Sequence, residues 1–195
     1  MSAQSTLKAR IGWHGLTTAE YLSTGEYYLV TGTDFTDGQI NWSTCCFVSS
    51  ERYSQDRNIQ LQANDILLTK DGTIGKVGFI DKLPGPATLN SGVFVIRPKG
   101  EAYDPRFFYY ILTSRIFDDF LSKLQAGSTI SHLYQKDFVN FSFFAPPTVT
   151  EQTAIAGVLS DMDAEIAALE RRRDKTRALK QGVMQDLLTG RTRLV

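Results

Sequence analysis

Residues 148–188 read TVTEQTAIAGVLSDMDAEIAALERRRDKTRALKQGVMQDLL, and their spacing decides the architecture of the chain. Thr148 with Glu151 three residues on is a capping-box pattern that opens a helix. No proline follows before Leu188, and Ala, Leu, Glu, Arg and Lys dominate. Ile155, Met162, Leu169, Thr176 and Val183 recur every seventh residue, and so do Leu159, Ile166, Arg173, Lys180 and Leu187, set four after the first series. Alternation of four and three is a heptad seam. At 1.5 Å per residue, roughly 40 residues span about 60 Å, whereas a domain of this size is about 30–40 Å across. The spacing therefore predicts a long helix whose apolar stripe needs a partner helix, with the alternative of a helix folded back on its own domain. The candidate interface residues are Ile155, Leu159, Met162, Ile166, Leu169, Leu179, Val183 and Leu187. At Arg173, Thr176 and Lys180 the seam turns polar, which calls for a looser central crossing or contact with another protein.

Charge sharpens the choice of partner. The 195 residues hold 21 basic and 21 acidic side chains, a neutral sum that argues mildly against a free-standing DNA binder. The distribution is uneven: residues 151–170 carry Glu151, Asp161, Asp163, Glu165 and Glu170 with no base, and the stretch beyond is rich in Arg and Lys. A helix that is acidic first and basic last favours an antiparallel copy of itself.

Upstream of the helix the chain reads as short strands and turns. Residues 27–30, 45–48, 66–69, 77–80 and 93–96 are β-rich, with turns at Asp37-Gly38, at Lys70-Asp71-Gly72-Thr73 and at Pro84-Gly85-Pro86. A single helix interrupts them, capped by Asp104, with Pro105 at its first position, and runs to Leu124. Gly127-Ser128-Thr129 is a turn, residues 138–144 a last strand or extended segment, and Pro146-Pro147 a close. The expectation is an α+β protein: a strand-rich domain over 1–147, a long helix over 148–190 that forms an antiparallel coiled coil, and a tail over 191–195. No apolar run is long enough to span a membrane, and residues 1–6 lack a signal-peptide stretch, so the expected location is the cytoplasm.

Catalytic signatures do not emerge. Gly72-Thr73-Ile74-Gly75-Lys76-Val77 superficially resembles a phosphate loop, but its spacing is wrong and Val77 occupies the magnesium-binding hydroxyl position. The turn either offers N–H groups and Lys76 to a single phosphate or is a plain tight turn. Cys45 and Cys46 are adjacent, so in a strand they point to opposite faces and share neither a disulfide nor a metal. With only His14 and His132 besides, no familiar zinc spacing exists. Asp118-Asp119 reads as a solvated helix face, and Pro146-Pro147 lacks the flanks of an adenine methyltransferase motif.

Several stretches together resemble one family. Asn64-Asp65-Ile66-Leu67-Leu68 through Gly72-Thr73-Ile74-Gly75-Lys76 is similar to the "gDiL…G.iGk" hairpin of type I restriction-modification specificity subunits. Leu89-Asn90-Ser91-Gly92-Val93 to Arg97-Pro98 resembles that family's next strand, and Gly127-Ser128-Thr129 to Leu133 its following turn. Pro146-Pro147 with Glu151-Gln152-Thr153-Ala154-Ile155-Ala156 resembles the start of its conserved helix, and residues 179–190 the "lk.glm..LLtG" tail.

Such subunits carry two target-recognition domains and two conserved helices. One domain and one helix, without an internal repeat, look like half of that arrangement. The resemblance implies a non-catalytic subunit that reads half of a split target in double-stranded DNA, with the helix as spacer and a homodimer reading a split palindrome. It implies an adenine methyltransferase subunit and a restriction-translocase subunit as partners. No cofactor is expected in this chain; S-adenosylmethionine, ATP and magnesium would sit in the partners. An interaction or regulatory half-subunit that modulates assembly of a full subunit is the alternative. The candidate DNA contacts are Lys70, Thr73 and Lys76 in the hairpin turn and Ser128 and Thr129 in the second turn, followed by Arg10, Trp13, His14, Asn90 and Ser91.

Overall fold

A computed structural model of the chain describes residues 4–10, 15–125 and 132–194. In chain order the elements are β1 (Ser5–Lys8), β2 (Tyr27–Val30), β3 (Phe35–Thr36), β4 (Gln39–Ile40), β5 (Cys46–Val48), α1 (Ser50–Ser54), β6 (Ile66–Thr69), β7 (Val77–Phe79), β8 (Ala87–Leu89), β9 (Val93–Pro98), α2 (Pro105–Leu112), α3 (Arg115–Gln125) and α4 (Val149–Leu188). Short 3-10 turns separate some of them.

The strands form a six-stranded sheet in the order β1-β9-β6-β7-β4-β3 and a three-stranded sheet in the order β5-β2-β8. At the centre of the large sheet β6 runs antiparallel to both neighbours, with Leu67 opposite Gly78 on one side and Val95 on the other. Its unbroken apolar run is explained by burial on both faces. Ile66 and Leu68 join Phe79, Phe94 and Ile96 beneath Phe108, Leu112 and Phe117 of α2 and α3. Leu67 points the other way, into a core with Val93, Val95, Val30, Ala87 and Leu89 that joins the small sheet. Successive strand side chains alternate faces, so a two-sided core demands apolar residues at every position.

Local chemistry accounts for the turns. Asp37 (φ 49°) and Gly38 (φ 75°) both lie in the left-handed region, the signature of a two-residue hairpin, and they join β3 to β4. The Asp104 side chain accepts from the Phe107 N–H at 2.8 Å with Pro105 at the first helical position, as the sequence pattern requires. A bidentate pair between half-buried Arg97 and buried Asp65 ties β9 to the start of β6: the Arg97 Nε–H and Nη2–H groups donate to the two Asp65 carboxylate oxygens at 2.6 and 2.7 Å.

Two expectations are corrected. The helix after Asp104 is two helices, because Thr113 leaves the helical region (φ −97°, ψ 3°) and the Ser114 Oγ accepts from the Ile116 N–H to open α3. Residues 138–144 form no strand: Gln135–Asn140 is a 3-10 helix, with Asp137 accepting from the Tyr134 N–H at 2.7 Å, and the segment beyond is extended and unpaired in either sheet. Phe138 and Phe141 instead fill an aromatic cluster with Phe117 and Phe120. The strands β1, β3, β4 and β8 and the helix α1 were not anticipated. Cys45 is buried and Cys46 half-buried, both as free thiols.

The chain divides into two compact units, Met1–Thr153 and Ala154–Val195. The 40-residue α4 opens in the first. The Thr148 Oγ1 accepts from the Glu151 N–H at 3.2 Å, and Gln152 is buried, accepting from the Asp104 N–H and donating to the Pro146 carbonyl. In the second unit the seam residues Met162, Ile166 and Leu169 are each more than half exposed, at 55%, 55% and 57%. Ile155, Leu179 and Val183 are exposed as well, and Leu159 and Leu187 half-exposed. No described helix is long and apolar enough to cross a membrane.

Candidate nucleic-acid interface

Three strand ends bring the polar residues of the first unit together. Parallel pairing of β2 with β8 makes both leave the small sheet on the same side, and the Asn90 N–H still donates to the Val30 carbonyl just beyond their last pair. The end of β6 arrives beside them, because Thr69 pairs with Val93 and the Lys70 N–H donates to the Gly92 carbonyl. Between these ends lies an open cleft of about 470 Å³. Asp71, Gly72, Thr73 and Lys76 line one side, Thr31, Gly32 and Thr33 another, and Tyr21 and Asn90 complete the lining.

The hairpin side is a rigid turn. The Thr69 hydroxyl donates to the Thr73 carbonyl at 2.5 Å and accepts from the Lys76 N–H at 2.9 Å, and the Gly75 N–H donates to the Thr69 carbonyl. Gly75 is held at φ 92°, a conformation that favours glycine, and a Cβ there would stand 2.5 Å from the Leu121 Cδ1, so that side chain would have to shift. Thr73 and Lys76 are exposed, and Lys76 makes no ion pair among the described residues. Lys70 is engaged: it pairs with Asp71 at 3.1 Å and lies over the Phe94 ring. The second Asp71 oxygen meets the His132 Nδ1 at 2.6 Å.

The other sequence-predicted residues divide. Asn90 and Ser91 are half-buried, with the Ser91 N–H donating to the Asn90 Oδ1 at 2.7 Å and the Asn90 Nδ2 donating to the Tyr21 hydroxyl at 2.7 Å. Arg10 is 3% exposed and faces inward, donating to the Leu89 carbonyl at 2.9 Å and to Thr88. Burial, first of all, lowers its pKa from the usual arginine value. In this structure Arg10 fastens β8 and takes no place in the cleft lining. Trp13, His14, Ser128 and Thr129 lie outside the described residues. The cleft adds Tyr21, Thr31 and Thr33, which the sequence reading missed. Its only prior signal was Thr31 with Asp34 three residues on, a side-chain turn: buried Asp34 accepts from both the N–H and the hydroxyl of Thr31 at 2.8 Å, and from Thr44 at 3.0 Å.

Comparison with known proteins decides the family. The family model described as type I restriction modification DNA specificity domain matches residues 16–177, well over half of the chain. The chain belongs to this family. Among curated relatives, the type I restriction enzyme MjaVIII specificity subunit of Methanocaldococcus jannaschii is 28% identical over 161 residues, covering 80% of this chain and 38% of that protein. The Escherichia coli EcoBI specificity subunit is 24% identical over 160 residues, covering 82% and 33%. This specificity-domain chain thus spans between a third and two-fifths of the curated relatives it matches.

Solved structures agree on the fold. A chain from a structure concerning complex assembly and conformational transition of the type I R-M system superposes with TM-score 0.63 at 18% identity, covering 94% of this chain and 43% of that one. The HsdS subunit from Thermoanaerobacter tengcongensis superposes at 0.58 with 17% identity, covering 95% and 42%. The strand-rich unit and the long helix are therefore the specificity-subunit fold.

Proposed function

We propose that this chain is a non-catalytic DNA-reading subunit of a type I restriction-modification assembly, in which its strand-rich unit reads one half of a split target. The observation that carries the reading is the cleft at three converging strand ends, where the exposed Thr73 and Lys76 sit on a glycine-fixed turn in a member of a DNA specificity family. A rigid turn with an exposed ammonium group suits a DNA phosphate, which positions a protein without specifying sequence. The neutral net charge is consistent with a DNA grip shared with partners. The partners proposed are an adenine methyltransferase subunit and a restriction-translocase subunit, which supply S-adenosylmethionine, ATP and magnesium and act with this chain in the cytoplasm.

The exposed heptad seam of α4 supports an antiparallel homodimer that sets the spacing between two DNA-reading units. Two identical units on a twofold axis would read a split palindrome. The test is DNA binding by the chain assembled with its methyltransferase partner, measured against salt. Lys76→Ala should weaken binding to all sequences alike and reduce the salt slope by roughly 0.9 for each phosphate it no longer neutralises. An unchanged affinity and slope would remove the hairpin from the interface.

A further inference from the structure

The hydrogen-bond polarity of the cleft can be worked out proton by proton, and it differs between Tyr21 and the Thr31–Thr33 wall. The Asn90 Oδ1 accepts from the Ser91 backbone N–H at 2.7 Å, which fixes the other end of that amide as the NH2 group. That NH2 donates to the Tyr21 oxygen at 2.7 Å. Tyr21 therefore accepts from Asn90 and has its own O–H left to donate. Burial raises its pKa from the usual tyrosine value, so the proton stays on the phenol at neutral pH.

The Thr31–Thr33 wall has the opposite sense. The Asp34 carboxylate can only accept, and the Thr31 N–H and O–H both donate to its Oδ2 at 2.8 Å. The single hydroxyl proton of Thr31 is thereby used. Thr31 Oγ1 and Thr33 Oγ1 are 2.8 Å apart, so the proton between them belongs to Thr33. Thr33, exposed at the cleft, is left with lone pairs as its outward function. A buried carboxylate and an asparagine thus preset one acceptor and one donor in the same cleft.

In the major groove, adenine is the single base that offers a donor, N6–H, and an acceptor, N7, side by side; guanine offers two acceptors there, cytosine a donor and thymine an acceptor with a methyl group. The geometry points to Thr33 and Tyr21 as specificity-determining residues that read the major-groove edge of an adenine, Thr33 accepting from N6–H and Tyr21 donating to N7. The assignment rests on the DNA-reading role proposed above and deepens it, since it names the base and separates reading residues from the phosphate-binding Lys76. Asp34 and Asn90 act through them as positioning residues.

The experiment uses the chain assembled with its methyltransferase subunit and a duplex carrying its selected target. Each adenine is replaced in turn by 7-deazaadenine, which lacks the N7 acceptor, or by purine, which lacks the N6 amine. At one position both replacements should weaken wild-type binding about tenfold, the typical cost of a mismatched base. Tyr21→Phe should lose the same factor on the natural target and become indifferent to 7-deazaadenine there. Thr33→Val should become indifferent to purine, and Thr33→Ser should restore the wild-type pattern. Thr33 is exposed and Tyr21→Phe is conservative, and unchanged thermal unfolding confirms that the variants remain folded. Wild-type binding that ignores both analogues at every position, or variants that weaken all targets equally, overturns the assignment while leaving the DNA-reading role standing. A wild-type assembly that selects no sequence overturns both.

Discussion

Replacing Leu159 and Leu187 of α4 by glutamate tests the pairing of the long helix. In an antiparallel pair that brings the two series of seam residues opposite each other, Ile155 faces Leu187 of the second copy and Leu159 faces Val183. The same register sets Met162 against Lys180, Ile166 against Thr176 and Leu169 against Arg173, so that no two polar seam residues meet. The apolar end layers then carry the affinity. Burying a leucine contributes about 2 kcal/mol, and the double variant removes four of them per dimer, about 8 kcal/mol before any cost of desolvating the new carboxylates. At 1.4 kcal/mol per tenfold, that is more than about a hundred-thousand-fold in the dimer dissociation constant. Glutamate is a good helix former, so circular dichroism should show α4 intact. Light scattering at micromolar concentration should give a dimer for the wild type and a monomer for the variant. A monomeric wild type, or a variant that still dimerises, would refute the reasoning.

Three further outcomes follow from the first unit. Arg97→Leu leaves Asp65, whose side chain is 1% exposed, without its cation; stranding a buried charge costs about 3 kcal/mol and should lower Tm by about 6–12 °C, and a shift under about 2 °C would contradict it. Gly75→Ala drives a Cβ towards Leu121 from a backbone conformation that L side chains rarely adopt, so it should destabilise by about 1–3 kcal/mol in chemical denaturation and weaken DNA binding with it. Burial pushes the Cys45 thiol up to about 12, so at pH 8 a thiol reagent should label half-buried Cys46 while Cys45 reacts only after unfolding; equal rates would contradict it. The sign for stability follows from the same shift. The neutral thiol favours the fold below the free-thiol value of about 8.5, and that contribution is lost progressively as pH rises from there towards about 12.

What the sequence revealed depended on length and period. The helix α4 was legible because its seam repeats over five heptads, and the β6–β7 hairpin because Gly72 and Gly75 punctuate apolar runs. The strand β8 is Ala87-Thr88-Leu89, three residues buried on both sides, too short for any alternation to show. The strand β1, Ser5-Thr6-Leu7-Lys8, is stabilised by its pairing with β9 and carries little apolar pattern of its own. Residues 138–144 have strand-like composition, but Phe138, Phe141 and Phe143 are claimed by the aromatic cluster, a case of packing overriding propensity. The cleft was half visible. Thr73 and Lys76 share one turn, whereas Thr33 and Asn90 follow two strands that only the parallel β2–β8 pair sets side by side, and Tyr21 follows the separate 3-10 turn Thr18–Glu20.

The central claim is that this chain directs a partner's chemistry to a particular DNA sequence. Co-expression with the proposed methyltransferase subunit, followed by sequencing of the methylated adenines, tests it most directly. The account predicts modification at one defined motif, two identical inverted halves separated by a fixed unread spacer, that changes when this chain is exchanged for another specificity chain. Methylation without a defined motif, or a motif unchanged by that exchange, would contradict it.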